Sequence, residues 1–201
     1  MRIGRLTALA AASVCATMAQ TQTVAFPAGG TVHVKNSAGE LAVEGWDRPQ
    51  VELTAIHTGQ RAPLTMKRNG TEVLIEAATK HKWAESEKDY RIRMPRGAKL
   101  VVEHGTGEVH VADVAGDIHA TVVRGEIVLT LPAEEKYAIN ASSVVGDIVS
   151  DYPGKAHRRP WIFAHRFEQG GGTHQLYLRV GFGDILILKT IQPAAPGPLA
   201  E

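Results

Sequence analysis

The segment TGEVHVADVAGDIHATVVRGEIVL, from Thr106 to Leu129, restarts every nine residues with a glycine, an acid and a branched apolar residue, at Gly107, Gly116 and Gly125. The same glycine-acid dipeptide stands at Gly39-Glu40, Gly146-Asp147 and Gly183-Asp184. Two residues past each glycine come Leu41, Val109, Ile118, Ile127, Ile148 and Ile185, and four past come Val43, Val111, Ala120, Leu129, Ser150 and Ile187. Eleven of these twelve are apolar, where a composition of 44% apolar residues would give about five. The positions between them (Ala42, His110, His119, Val128, Val149, Leu186) are mixed. Alternation with period two is the mark of a half-buried strand, so the plus-two and plus-four columns are expected to face inward. Nine residues accommodate a strand of about five or six and a tight reversal, for which glycine supplies positive φ.

Similar strand signals fill the rest of the chain: Thr31–Lys35, Val51–Ala55, Glu72–Glu76, Tyr90–Met94, Lys99–Val102, Tyr137–Asn140 and Gln175–Arg179. Only Lys80–Asp89, rich in charge, is open to a short helix or an exposed loop. The expected class is all-β. Successive hairpins would make an antiparallel meander or sandwich, whereas a coiling chain would stack strands two steps apart as a short β-solenoid. A coil fits the repeat better, with ladders expected in one register at Gly107, Gly125 and Gly146.

The N-terminus has a different character. Met1-Arg-Ile-Gly-Arg5 is followed by an apolar run from Leu6 to Ala19 and a polar break at Gln20. That order is a secretory signal with Thr17-Met-Ala19 before the cleavage point, and the run is short for a membrane span. The one cysteine, Cys15, lies inside it, so the mature chain is expected to hold no thiol, disulfide or thiolate metal site. A lipidated Cys15 is the alternative, against which stands the bulk of Val14. Loss of Arg2 and Arg5 takes the formal net charge from +1 down by two, to −1, and gives no reason to expect nucleic acid as a partner. The expected divisions are a signal at 1–19, a lead-in at 20–30, a β-repeat domain at 31–191, and a Pro/Ala-rich tail at 192–201 without a membrane anchor.

Gly39–Asp47 with Gln50–Leu53, then Tyr90–Pro95, the glycine-acid repeats, and Val180–Leu188 together resemble the bacterial exported adhesin-like proteins, a family of β-strand-repeat domains of unknown function. The resemblance runs from about Thr31 to Thr190 and implies a single-domain, right-handed β-coil or β-roll at the cell envelope. It carries no catalytic residues with it. One stretch departs from the pattern: between Asp151 and Gln175 lies a long basic and aromatic connection.

Candidate chemistry is sparse. The acids after glycine lack the G-G-x-G-x-D spacing of calcium-binding β-rolls, and a solvated carboxylate accepting backbone amides accounts for them. His110 and His119 fall on opposite walls of a coil, no HExxH spacing occurs, and no metal or cofactor is expected. Ser37, Ser142, Ser143 and Ser150 have no nucleophile elbow, and Glu103, Glu108 and Glu126 are too generic a set to assign to glycoside cleavage. Trp46 is expected to pack at a turn. The most distinctive surface is Lys155–Arg166, where Arg158, Arg159 and Arg166 beside Trp161 and Phe163 could hold an acidic sugar or a lipid headgroup. Against this, Trp161, Ile162 and Phe163 could simply cap the end of the coil. The expected function is an exported, non-catalytic scaffold or interaction protein in the periplasm, at the cell surface or outside the cell. Its expected partners are envelope polysaccharide or surface proteins; the alternatives are a carbohydrate-active β-helix enzyme and an accessory or sensor protein for envelope stress.

Overall fold

A computed structural model describes residues 21–27, 29–56, 64–77, 89–159 and 164–190. The expected signal at 1–19 with Cys15, the segment 80–88, Trp161, Phe163 and the residues 192–201 all lie outside the described residues. Among the described residues every regular element is a strand: β1 (Thr21–Ala25), β2 (Thr31–Ala38), β3 (Leu41–Trp46), β4 (Gln50–Ala55), β5 (Leu64–Asn69), β6 (Glu72–Ala77), β7 (Tyr90–Pro95), β8 (Lys99–Ala112), β9 (Ile118–Pro132), β10 (Tyr137–Val145), β11 (Ile148–Ser150), β12 (Lys155–Arg159), β13 (Ala164–Gln169), β14 (His174–Phe182) and β15 (Ile185–Thr190). All of them join one open, mixed sheet.

The sheet is bent into two walls. The first runs β5, β6, β2, the first half of β8, the first half of β9, β14, β10, β13 and β12. The second runs β1, β4, β7, β3, the second half of β8, the second half of β9, β15 and β11. The long strands β8 and β9 pass through both walls, and the bend follows a row of glycines in the order Gly39, Gly107, Gly125, Gly183, Gly146. Their φ values are 101°, 127°, 133°, 134° and 141°, in the region that side-chain-bearing residues rarely enter. A Cβ on Gly125 would strike the carbonyl of Gly107, so the row lacks the space for a side chain as well.

Gly107 and Gly125 are therefore corners inside the continuous strands β8 and β9, and Gly39, Gly146 and Gly183 stand at the same corner between β2 and β3, β10 and β11, and β14 and β15; none is the tight reversal the repeat suggests. Gly116 is of another kind. It lies in the return from β8 to β9, has no positive φ, and is needed because a Cβ there would meet the backbone of Ala98. The nine-residue period thus alternates two different bends, corner and return, and one full rung takes two periods.

Inward columns unite the walls. On the first, Ile75, Val34, Val102, Ala120, Leu178, Ala141 and Phe167 stand in register; on the second, Tyr90, Leu41, Val109, Ile127, Ile185 and Ile148 do. All but Ile148, which is partly buried, belong to one buried core, as the plus-two and plus-four pattern requires. Each buried aliphatic side chain contributes about 1.5–3 kcal/mol. On the side away from the corner, Tyr137 and Tyr152 meet edge to face at 5.8 Å and donate to the carbonyls of Val114 and Pro132. Burial raises the pKa of both phenols, which stay neutral donors.

Chain order and spatial order differ. Among the described strands only β8 and β9 stack as rungs with no other strand between them in the chain. The last rung, β14 and β15, is inserted between β9 and the earlier rung of β10 and β11, so Gly183 stands between Gly125 and Gly146 in the ladder. This is why the connection after Asp151 is long: the chain must travel around β10, which it does as the antiparallel pair β12 and β13 before returning to β14. At the other end β2 and β3 are likewise enclosed, between β6 and β7 on one side and β8 on the other.

Candidate binding surface on the first wall

Outward positions follow from the same alternation that builds the core. On β12, β13, β10, β14 and β9 they align His157, Arg166, Ser142, Arg179 and Thr121 in one row across the strands. The next row is Lys155, Glu168, Asn140, Tyr177 and His119. Adjacent strands lie about 4.8 Å apart, so Arg166 and Arg179, separated by β10, project about 10 Å apart. Together with Arg158, His157, His165 and Tyr177 they line an open groove of about 560 Å³.

The charges of this groove are unequally neutralised. Arg166 Nε lies 3.4 Å from Glu168 Oε1, and His165 Nδ1 lies 2.9 Å from Asp147 Oδ1. Arg158 and Arg179 have no ion-pair partner among the described residues. Tyr177 is 39% exposed and leans on the ring of His119, with centroids 4.5 Å apart. Above this row, Gly181 offers no side chain beside the exposed Val123 and Val144. Guanidinium groups, a hydroxyl and an aromatic face directed to water can pair with carboxylates and stack on an apolar ring face.

At the far end of the same wall acids and bases pair with each other. His33 bridges Glu103 at 3.0 Å and Glu72 at 3.3 Å, and Lys35 Nζ lies 3.6 Å from Glu103. The His33 hydrogen bond, aided by Lys35, holds the Glu103 carboxyl below its ordinary pKa against the opposing effect of burial. A wider groove of about 920 Å³ lies there, lined by Lys35, Glu76, Glu103, His119, Thr121 and Val123 among others.

Of the residues singled out in the sequence, Arg158 and Arg166 come together in the arginine-bearing groove. Arg159 ends β12, but its side chain, like Trp161 and Phe163, lies outside the described residues. At this end of the stack Phe167, Tyr152 and Tyr137 are the buried aromatics among the described residues, and Phe167 lies over Gly154, where a Cβ would meet its ring. Tyr177 and Arg179 carry no motif in the sequence, and Ser142 stood out there only as a serine without a nucleophile elbow. Their outward phase was readable in the alternation of β10 and β14, but their adjacency to Arg166 depends on which strands pair.

The other candidates are structural. Asp184 Oδ1 accepts the amide of Asp147 (2.7 Å) and Asp117 Oδ1 that of Gln175 (2.8 Å), tying neighbouring rungs through the acids that follow glycine. Ser143 donates to the carbonyl of Gly183 (2.8 Å), and Asn36 Nδ2 to that of Ala38 (3.0 Å). His104, in register with Asn36, is buried beside the corner, and neither ring nitrogen has a well-placed hydrogen-bond partner among the described residues. Desolvation lowers its pKa, outweighing the nearby backbone of Gly39 and Thr106. Trp46 donates to the carbonyl of Gln50 (2.9 Å) and has the guanidinium of Arg48 over its ring at 5.1 Å. His110 and His119 lie on different walls, and no group of three potential metal ligands occurs among the described residues.

No protein-family model matches the chain, and no curated protein sequence matches it. Among solved structures it is similar to a candidate cell adhesion protein from Clostridium sporogenes, at 11% identity and a TM-score of 0.51, over 86% of this chain and 100% of that one. That likeness is one of fold. A candidate adhesin from Bacteroides fragilis is matched over 86% of this chain and 98% of its own at 8% identity, with a TM-score of 0.27 that carries no structural argument.

Proposed function

We propose that this protein is an exported, non-catalytic β-coil that presents a stiff interaction surface at the bacterial cell envelope. The observation that carries the reading is the outer face of the first wall. Over a core of unbroken apolar columns it displays Arg166, Ser142, Arg179 and Tyr177 to solvent in fixed register. A rigid sheet spends little conformational entropy in holding such a row ready for a partner. The parallel stacking of β8 on β9 through an intervening wall supports a coil, and the strong bias of such crossovers supports a right-handed one. The similar fold of the Clostridium sporogenes protein, described by name as a candidate for cell adhesion, is consistent with a role in contacts.

Two measurements test the reading. The mature N-terminus of the protein recovered from its native host is expected at Gln20, and the protein is expected in the envelope or the medium; an intact N-terminus and a cytoplasmic location would refute export. Purified protein is expected to be retained on purified envelope material, and the triple variant R158A/R159A/W161A to be retained less while still folded. Equal retention of that variant would remove the β12–β13 connection from the surface.

A further inference from the structure

The arginine-bearing groove has a geometry more specific than a basic patch. Its two outward guanidinium groups, on Arg166 and Arg179, occupy one row, separated by the single strand β10, which places a small hydroxyl, Ser142, between them. The neighbouring row carries an aromatic ring and an amide, Tyr177 and Asn140, in direct register with each other. On the opposite side of the arginine row the wall drops to Gly181, opposite Val123. Anion sites about 10 Å apart, a hydrogen-bonding group between them and a ring face alongside form a pattern that repeats across strands, perpendicular to the chain direction.

We infer that this groove binds a linear polysaccharide bearing carboxylate groups, laid across β13, β10 and β14, with Arg166 and Arg179 engaging two of its carboxylates. The inference rests on the envelope reading for its biological setting and deepens it by naming the partner. Guanidinium is the cation suited to a planar carboxylate, because its fork matches both oxygens. Among the described residues Arg179 has no acid partner of its own, so a sugar carboxylate would meet an unspent charge there. At Arg166 the incoming carboxylate competes with Glu168, which is 47% exposed and free to move aside. Tyr177, already braced by His119, supplies a ring on which a pyranose face stacks, and Ser142 and Asn140 provide hydrogen-bonding groups for its hydroxyls.

The test uses the full mature chain and immobilised polygalacturonate, with a neutral glucan, polyphosphate and vesicles containing phosphatidylglycerol as comparisons. Retention is expected on polygalacturonate and not on the glucan. R166A/R179A is expected to weaken it by about tenfold or more, since each charge-assisted contact is worth a factor of that order. R179K should fall between wild type and R179A, because a lysine keeps the charge and loses the fork. Y177A should also weaken retention, and E103Q at the far end should not. All these side chains are at the surface, so the variants are expected to remain folded, as circular dichroism would verify. Equal retention on polyphosphate or vesicles, insensitivity to Y177A, or unchanged retention of folded R166A/R179A would each overturn the inference. Absence of any binding to polygalacturonate would do so as well, leaving the retention on whole envelope material to decide the broader reading separately.

Discussion

In the middle of the sheet, from β2 and β3 through β8 and β9 to β14 and β15, strands pair in parallel; at the two ends β1, β4 and β5, and again β12 and β13, pair antiparallel. The middle repeats one solution. Each rung brings a glycine to the corner and the same inward columns to the walls, so a slip by one residue would drive a whole column into water. The ends cannot repeat it, because an end rung has no further neighbour. They close instead with antiparallel pairs, and the outermost strand β12 carries exposed charge at Lys155, His157 and Arg158, which discourages pairing with another edge. Stability is therefore concentrated in the middle, while the chemistry available to a partner lies where the middle meets the C-terminal end.

Gly125→Val should separate the two regions most sharply. It places a branched side chain at φ 133° against the carbonyl of Gly107, and an expected loss of more than about 4 kcal/mol would abolish cooperative folding. Gly170→Ala, just past β13, meets open space and should change stability by less than about 0.5 kcal/mol in urea denaturation. Comparable losses for both would mean that the corner row is not special.

Side-chain truncation tests the same contrast more gently. Ile127→Ala in the central column is expected to cost about 2–5 kcal/mol, against less than about 0.5 kcal/mol for Val149→Ala on β11, where the side chain is 55% exposed.

His104 offers a pH-dependent version. Its folded pKa is depressed below the ordinary 6.5, so as pH falls through that value the unfolded chain takes up a proton that the folded chain refuses, and stability drops. Denaturation midpoints should fall in this window just below pH 6.5, and His104→Gln should flatten the slope there. Glu103 acts in a lower window: its folded pKa lies below its ordinary 4.5, so the stability it adds is present above that value and lost on further acidification. A slope unchanged by His104→Gln would show that the buried ring is not the titrating group.

A small effect is expected at Arg93 on β7, which lies 3.0 Å from Glu44 and 3.6 Å from Glu52 with all three groups partly open to water. Arg93→Ala should cost less than about 1 kcal/mol and should matter less in high salt.

The sequence carried the local half of this molecule. Alternation at Leu41, Val109, Ile127 and Ile185 marked the inner face, and the glycine-acid pairs marked the bends, because burial and positive φ are demands made on single positions. It did not distinguish the corner at Gly107 from the return at Gly116, since both bends select glycine, one for φ and the other for the closeness of Ala98. Nor could it reveal that Arg179 neighbours Ser142 and Arg166. Strand partners are chosen by the packing of whole columns, and a parallel sheet accepts a late strand beside an early one if their columns match. Inside and outside were thus written residue by residue, whereas the order of the rungs, and with it the composition of the groove, was decided only when β14 entered between β9 and β10.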